Sequence, residues 1–350
     1  MNYGLNIKIA RGSRGLTQKE LSKLVNISQV SLSRMEKGDI MIPYPVIEKL
    51  AIELDYPESF FGKIISENET PNSFFYRKRA SMKVKDLEII TRKIQIYNKV
   101  IDTLLDSVDI PEFCIPQIDC SEEYQADEIA YRLKQHLNIP LGPISKITNM
   151  IEKCGIIVHF LNVDESCDKF DGLATFTTKG YPIIYINNNM PNDRKRFSLA
   201  HELGHLTMHL RSENLTKGQE EQEKEANLFA GEFLLPHSEC LSDFSNMKMR
   251  DLPYLKSKWL VSKAAIIHRA TELECIPEDT ATYFYITLGR NKERKIEKGL
   301  VPIDTPTIVP KMIKMHMGEL EYSNDELYSH LGINKTDLNE LLGQKLFLEI

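Results

Sequence analysis

Residues 196–210 read RFSLAHELGHLTMHL and place His201 and His205 four positions apart, with Glu202 directly after the first histidine. In an α-helix, residues four apart share a face, so both imidazoles can reach one ion. Glu202 is rotated by about 100° from His201, which suits a carboxylate that holds a water molecule beside the ion. The spacing predicts two zinc ligands and a general base. An ordinary amphipathic helix can also contain so short a pattern. The zinc prediction therefore depends on whether the chain offers a third ligand.

The candidate third ligand lies in the next predicted helix, about residues 219–235. The apolar stripe of this helix consists of Ala226, Phe229, Ala230, Phe233 and Leu234. At 100° per residue, Glu223 lies within roughly 60° of the centre of the stripe, and Glu220 lies at its edge. Glu221 and Glu225 are predicted to point well away from it. Glu223 is therefore the acid that the helix turns inward.

The predicted zinc site consists of His201, His205 and Glu223, with one position left for water, which is the arrangement of catalytic zinc. Asn227 follows Glu223 by one turn and is predicted to hydrogen-bond a ligand histidine and orient it. His209 lies about 6 Å beyond His205 by helical rise, too far to bind the same ion. We therefore expect His209 to pack beside the site or to contact a ligand residue without binding the ion itself.

Two segments of the chain, RFSLAHELGHL at 196–206 and EKEANLFAGEFLLP at 223–236, resemble the ImmA/IrrE family of metallopeptidases. The resemblance covers roughly residues 121–245. It implies a small α+β zinc-peptidase fold with Glu223 as the third ligand, and several members of the family cut a DNA-binding repressor. His237, just after the second segment, is a weak candidate for contacting the substrate or the transition state.

Strand-like sequences precede the histidine helix, at 154–163 (CGIIVHFLNV) and 181–189 (YPIIYINNN). Both are β-branched and bounded by turn residues. A hairpin is predicted to turn near Lys179 and Gly180. We favour a buried core strand for 181–189. The alternative is a sheet edge beside the metal, where a substrate strand could add.

The N-terminal residues predict two short helices joined by a tight turn. Thr17 and Glu20 form a capping box at the start of the first helix. Ser28 is a good N-cap for the second helix, and Gly38 is suited to end it. Two short helices about three residues apart match the helix-turn-helix pattern.

Roughly residues 5–61 resemble the lambda-repressor-like, or Xre-type, helix-turn-helix family. The resemblance implies a phosphate contact from Gln18. It implies base contacts from the exposed start of the recognition helix and one turn on, at Ser28, Gln29, Val30 and Arg34. The chemistry agrees, because glutamine can bind adenine with two hydrogen bonds and arginine can bind guanine.

The same resemblance implies that Leu32 and Met35 are buried and that Arg11 and Glu36 form an internal ion pair. Such domains bind paired half-sites as dimers, so we expect a homodimer on double-stranded operator DNA. The charges of this segment nearly balance, however, and no plainly cationic face is visible. A helical module that only packs on a protein partner therefore remains an alternative.

These patterns predict a multidomain chain. Residues 1–65 form an all-α helix-turn-helix domain, 66–120 a helical connector, and 121–245 an α+β zinc-metallopeptidase domain. Residues 246–350 are mainly helical and contain no motif that we can link to chemistry.

The composition is that of a globular protein, with 350 residues and a net charge of −6. This charge argues against a protein that coats nucleic acid along its whole length. The N-terminus lacks the apolar core of a signal peptide, and no apolar run is long enough to span a membrane. Six cysteines without a C-x-x-C pair suggest reduced thiols, so a cytoplasmic protein without membrane contact is expected.

The leading hypothesis is a DNA-binding zinc endopeptidase that regulates transcription by cleaving a repressor or antitoxin-like protein. One alternative is a transcriptional repressor or antitoxin whose zinc domain binds or senses a partner without proteolysis. Another is a peptidase whose first domain only recruits protein. The intact Glu202 favours an enzyme, because a purely structural zinc site needs no base at that position.

Overall fold

The computed structural model describes residues 3–63, 65, 82–120, 124–164, 167, 169–211 and 218–342. A helical N-terminal part is followed by a small sheet with helices, and the C-terminal part is again helical. The predicted multidomain fold class, a helix-turn-helix domain followed by an α+β domain and a mainly helical region, is confirmed. The boundaries proposed at 65, 120 and 245 stay predictions.

The N-terminal helices are α1 (Tyr3–Ser13), α2 (Gln18–Leu24), α3 (Gln29–Lys37), α4 (Tyr44–Leu54) and α5 (Glu58–Phe61). The capping box at the start of α2 is formed as predicted. The Glu20 N–H donates to the Thr17 hydroxyl at 3.2 Å, and the Thr17 N–H donates to the Glu20 carboxylate at 2.7 Å. Ser28 caps α3, and Gly38 ends it with a φ of 79°, in the left-handed region that favours glycine.

A long helix, α6 (Val84–Leu104), connects these helices to the sheet. It packs along α1 and is largely buried, with Ile90, Ile94 and Ile101 fully enclosed. The predicted connector is therefore an interior helix. It shares one apolar cluster with the N-terminal helices.

The sheet contains β1 (Ile157–Leu161), β2 (Gly172–Phe176) and β3 (Pro182–Asn187) in the order β1-β3-β2. β3 pairs with β1 in parallel and with β2 in an antiparallel hairpin. Gly180 in the hairpin turn has a φ of 85°, which a glycine adopts without strain. Because β3 is paired on both sides, the buried-strand prediction for 181–189 is correct and the edge alternative is wrong. The edge strand on the hairpin side is β2.

The helices around the sheet in sequence are α7 (Ala126–His136), α8 (Ile147–Lys153), α9 (Asn192–Met208), α10 (Gln219–Leu234) and α11 (His237–Phe244). Of these, α8 and α9 pack on the strands, and α10 packs on α9 and α7. α9 and α10 pack closely because Gly204 has no side chain. A Cβ there would lie 3.0 Å from the Phe229 ring. The two predicted site helices are therefore held face to face.

The C-terminal helices divide between two cores. α12 (Leu252–Trp259), α13 (Lys263–Glu272) and α14 (Glu278–Arg290) join the cluster around α9 and α10. The helices α15 (Ile308–Gly318), α16 (Asn324–Leu331) and α17 (Lys335–Leu341) return to the cluster around α6. Among the described helices, none combines the length and the apolar composition that a membrane span requires.

Candidate functional site

The three predicted zinc ligands converge between α9 and α10. The Nε2 atoms of His201 and His205 lie 3.1 Å apart. The Glu223 carboxylate places Oε1 at 3.5 Å from His205 Nε2 and Oε2 at 3.7 Å from His201 Nε2. Ligand atoms of all three residues lie within 4.8 Å of one another. The helix phase therefore brings Glu223 to the histidine pair.

The spacing of these atoms fits one zinc ion. Ligand atoms on a tetrahedral zinc ion, each about 2.0–2.1 Å from it, lie about 3.3 Å from one another. The separations here run from 3.1 to 3.7 Å. Two imidazoles and one carboxylate are also the donor set of catalytic sites, in which a fourth position is left for water. Glu220, the other acid weighed from sequence, is exposed and pairs with Lys224 instead.

Each ligand histidine is oriented through its second ring nitrogen. His201 Nδ1 lies 3.0 Å from Asn227 Oδ1, an acceptor, so the ring carries its proton on Nδ1 and directs the Nε2 lone pair toward Glu223. Asn227 thus makes the contact predicted for it. On the other ligand, His205 Nδ1 lies 2.9 Å from His209 Nδ1. A contact at Nδ1 therefore orients the ring of each ligand histidine.

A hydrogen-bonded chain runs from His205 through His209 to Glu225. A lone pair on His205 Nε2 requires its proton on Nδ1, where it is donated to His209 Nδ1. His209 then carries its own proton on Nε2, which lies 2.9 Å from Glu225 Oε2. Glu225 is predicted to point well away from the apolar stripe, and its carboxylate nevertheless reaches His209 at the end of α9. The apolar stripe shows which face of α10 is buried, but not that its polar flank borders the end of α9.

Glu202 lies beside the sheet edge and is only 3% exposed. Its Oε2 accepts a hydrogen bond from the Ala174 N–H of β2 at 2.8 Å. The Asn187 N–H donates to the Asp171 carbonyl, and the Thr177 N–H donates to the Tyr181 carbonyl. Odd-numbered positions of the β2 strand therefore bond to β3, and the Ala174 N–H faces the outer edge. The edge of β2 thus fixes the orientation of the Glu202 carboxylate.

The predicted DNA-contacting residues lie on the helix-turn-helix surface of the described chain. Ser28, Gln29, Val30 and Arg34 are exposed, and the described part of the chain leaves Val30 70% accessible. Ser28 also serves as the N-cap of α3, accepting the Ser31 N–H at 3.0 Å. The start of α3 is therefore accessible to a partner.

The interior of this module contains the expected ion pair. Arg11 Nε donates to Glu36 Oε1 at 2.6 Å, and both side chains are buried. Gln18, at the start of α2, donates to Glu36 Oε2 at 2.7 Å. Leu32 and Met35 are buried as predicted. The pair therefore links α1 to α3 and also holds Gln18 in place.

Comparison with known families finds one match for the metal-site region and one for the N-terminal helices. Residues 151–271 match the Peptidase M78 family, described as an IrrE N-terminal-like domain, and residues 7–61 match a helix-turn-helix family. The chain contains a helix-turn-helix domain and an IrrE-like domain. It therefore combines a DNA-binding module with a peptidase-type domain, as the two sequence resemblances predict.

One solved structure covers most of both chains at low similarity. The crystal structure of Bacillus thuringiensis PlcR in complex with the peptide PapR7 and DNA has 15% sequence identity to this chain. The match covers 94% of this chain and 91% of that chain, with a TM-score of 0.18. At this TM-score the likeness carries no argument about fold or function. No curated protein matches the chain.

A cavity of about 750 Å³ adjoins the metal-site helices of the IrrE-like domain. Phe197 on α9 and Asn227, Leu228 and Gly231 on α10 line one side. The far wall is formed by α13 and by residues 294–297. No sequence pattern predicts this wall, because α13 contains no chemical motif and its position depends on tertiary packing.

His237, the weaker sequence candidate, begins α11 and is exposed. Its N–H donates to the Glu232 carboxylate at 3.2 Å. It is outside the group formed by the three predicted zinc ligands. Sequence reasoning also missed Ala174, whose backbone contact with Glu202 has no side-chain signal.

Proposed function

We propose that this protein is a DNA-binding zinc endopeptidase that regulates transcription by cleaving a repressor or antitoxin-like protein. The observation that carries the proposal is the convergence of His201 Nε2, His205 Nε2 and the Glu223 carboxylate at the spacing of zinc ligands. Three protein ligands and an adjacent carboxylate are the composition of a hydrolytic site.

The chemistry assigns a separate role to each group. When bound, zinc supplies a Lewis acid that polarises the scissile carbonyl and makes water more acidic. Asn227 and His209 hold the two ligand rings so that their Nε2 lone pairs converge. Glu202, anchored by the Ala174 N–H, accepts a proton from the attacking water and delivers it to the leaving amine nitrogen.

The surroundings of Glu202 suit an extended polypeptide substrate. The outer edge of β2 lies directly beside this carboxylate. A substrate segment could add along this edge as a further strand. Backbone pairing gives affinity without strict sequence requirements, so selectivity would come from side-chain contacts.

The helix-turn-helix domain would bring this activity to an operator. Its recognition positions are exposed within the described part of the chain, and the ion pair of Arg11 with Glu36 holds the module together. We expect binding to double-stranded DNA as a homodimer in the cytoplasm. DNA binding would then place the peptidase close to a repressor or antitoxin bound at the same promoter.

The buried bond between Glu202 and Ala174 is also compatible with one alternative, a repressor or antitoxin whose zinc domain binds a partner without cleaving it. A purely structural carboxylate would make the same bond. The deciding experiment incubates the purified protein with products of its neighbouring genes, with and without a chelator. Mass spectrometry showing defined fragments that the chelator abolishes would support proteolysis, and intact partners in both samples would contradict it.

A further inference from the structure

Two cysteines outside the metal site meet where two segments of the chain touch. Cys114 lies in the segment after α6 and is exposed, whereas Cys154 directly follows α8 and is 5% exposed. The Cys114 N–H donates to the Cys154 carbonyl at 3.1 Å, and the Cys154 thiol itself contacts the Met150 carbonyl at 3.3 Å. One backbone hydrogen bond between two residues brings their Cα atoms to about 5–6.5 Å, within the roughly 4.4–6.8 Å that disulfides span.

The backbones at this contact leave no space between them. Gly155 has a φ of 77°, and a Cβ at this position would lie 2.5 Å from the Glu112 carbonyl carbon. The remaining cysteines have other neighbours. Cys120 Sγ lies 3.4 Å from Met208 Sδ, and Cys240 Sγ contacts the Leu235 carbonyl at 3.6 Å.

We propose that Cys114 and Cys154 form a reversible intramolecular disulfide when the protein meets a peroxide. In the first step the Cys114 sulfur attacks hydrogen peroxide, which gives a sulfenic acid at Cys114 and one water molecule. In the second step Cys154 Sγ attacks the Cys114 sulfur. The S–S bond forms, the S–O bond breaks, and the hydroxyl leaves as water with the Cys154 thiol proton. An added dithiol reverses the reaction.

The environments of the two thiols suit these separate roles. Cys114 is accessible to a small oxidant. Burial, with a smaller contribution from Cys114, raises the pKa of Cys154 to about 12. Cys154 is therefore protonated at neutral pH and shielded from direct oxidation, which leaves Cys114 as the thiol that a peroxide meets first.

The disulfide would fix a segment that contacts the end of the histidine helix. The Ile118 N–H donates to the Thr207 carbonyl at 3.0 Å, and Gln117 Nε2 donates to the Met208 carbonyl at 2.9 Å. Arg211 donates to the Ile115 carbonyl at 2.8 Å. The same segment follows α6, which packs on α1 of the DNA-binding module. Oxidation would therefore stiffen the junction between the two halves, whether or not the protein cleaves anything.

The test uses the reduced full-length chain, treated with hydrogen peroxide, alkylated and mapped by tryptic peptide mass spectrometry. We expect a Cys114–Cys154 linked peptide, loss of two of the six thiols, and recovery of both after dithiothreitol. Cys114→Ser should abolish the linked peptide. Cys120→Ser, a matched change in the same segment, should retain it.

Several results would overturn the proposal. They are a disulfide between Cys114 and a different cysteine, a Cys114-linked dimer, or a dimedone-trapped Cys114 with Cys154 still alkylated after unfolding. Absence of any reaction at millimolar peroxide would also contradict it. Because Cys154 is buried, Cys154→Ser could unfold the chain, so the peptide map of the unsubstituted protein decides.

Discussion

His205 Nδ1 lies 2.9 Å from His209 Nδ1, and the far nitrogen of His209 lies 2.9 Å from the Glu225 carboxylate. A predicted metal ligand is thus oriented by a histidine that is itself held by an acid. The arrangement requires the His205 proton to be on Nδ1, and this leaves Nε2 available to the metal. Glu225 therefore contributes to the site without being near enough to serve as one of its three ligands.

Breaking this chain should weaken zinc binding without removing a ligand. We expect Glu225→Gln and His209→Phe each to lower zinc affinity by about 10–100-fold, because His205 loses the group that fixes its ring. Competition with a chromogenic chelator measures the affinity directly. Glu221→Gln, an exposed change on the same helix, is the control and should have no effect. Equal affinities for all four proteins would show that the chain of hydrogen bonds is incidental.

Zinc content distinguishes the two acids weighed as third ligand. Purified protein should carry about one zinc per chain, and His201→Ala, His205→Ala or Glu223→Ala should empty the site, because two remaining ligands bind zinc weakly. Glu220→Ala should retain full occupancy, since the Glu220 side chain is 72% exposed and pairs with Lys224. Elemental analysis by mass spectrometry gives the ratio. The opposite pattern for the two glutamates would assign the third ligand to Glu220.

The sequence alone predicts those features of the site that depend on the periodicity of a single helix. The spacing of His201 and His205 and the phase of Glu223 follow from 100° per residue. The contacts of Glu225 and Ala174 do not follow, because they depend on where the end of α9 and the edge of β2 come to lie. Such placement results from packing between elements that are distant in sequence.

The same distinction applies to the fold. Caps and turns around α2 and α3 are local, and Thr17, Ser28 and Gly38 predict them correctly. The burial of α6 is not local. Its apolar face is matched by the last described helices, more than 200 residues later, so no pattern within α6 shows that it lies inside a core.

DNA binding should depend on the exposed start of α3. Gln29→Ala and Arg34→Ala should each weaken binding to the protein's own promoter by about 1–3 kcal/mol, through the loss of base contacts. Gln18→Ala should weaken binding to all sequences alike, because a phosphate contact carries no sequence information. Fluorescence anisotropy on promoter and scrambled duplexes separates the two effects. If neither the full chain nor a 1–65 fragment binds the promoter at low salt, the module docks on a protein partner instead.

The free energy of unfolding should decrease as the pH is lowered, because one histidine is buried. Burial, aided by the charge of Lys93, lowers the pKa of His159 from 6.5 to about 4. Between these values the unfolded chain binds more protons, so the stability present above about pH 6.5 is lost as the pH falls toward 4. A shift of this size corresponds to about 3 kcal/mol. Urea unfolding at several pH values should show a shallower dependence for His159→Leu, whereas His268→Leu, at an exposed site, should retain the full slope.

The Glu202→Gln variant separates an enzyme from a sensor. Glutamine retains a side-chain oxygen that can accept the Ala174 N–H, so the buried contact at the edge of β2 should survive. Zinc content, thermal stability and DNA binding should then equal those of the unsubstituted protein, because Glu202 is not one of the three predicted ligands.

Only the ability to accept a proton from water is removed by this substitution. Cleavage of the partner should therefore fall by several orders of magnitude, measured as fragment release per mole of zinc-loaded protein. In cells, the variant should leave the target genes silent under conditions in which the unsubstituted protein induces them. If the Glu202→Gln variant regulates normally while the His201→Ala variant does not, the metal has only a structural role. The domain would then act on its partner by binding, as a repressor or antitoxin would, because normal regulation would persist after most of the proteolytic activity is lost.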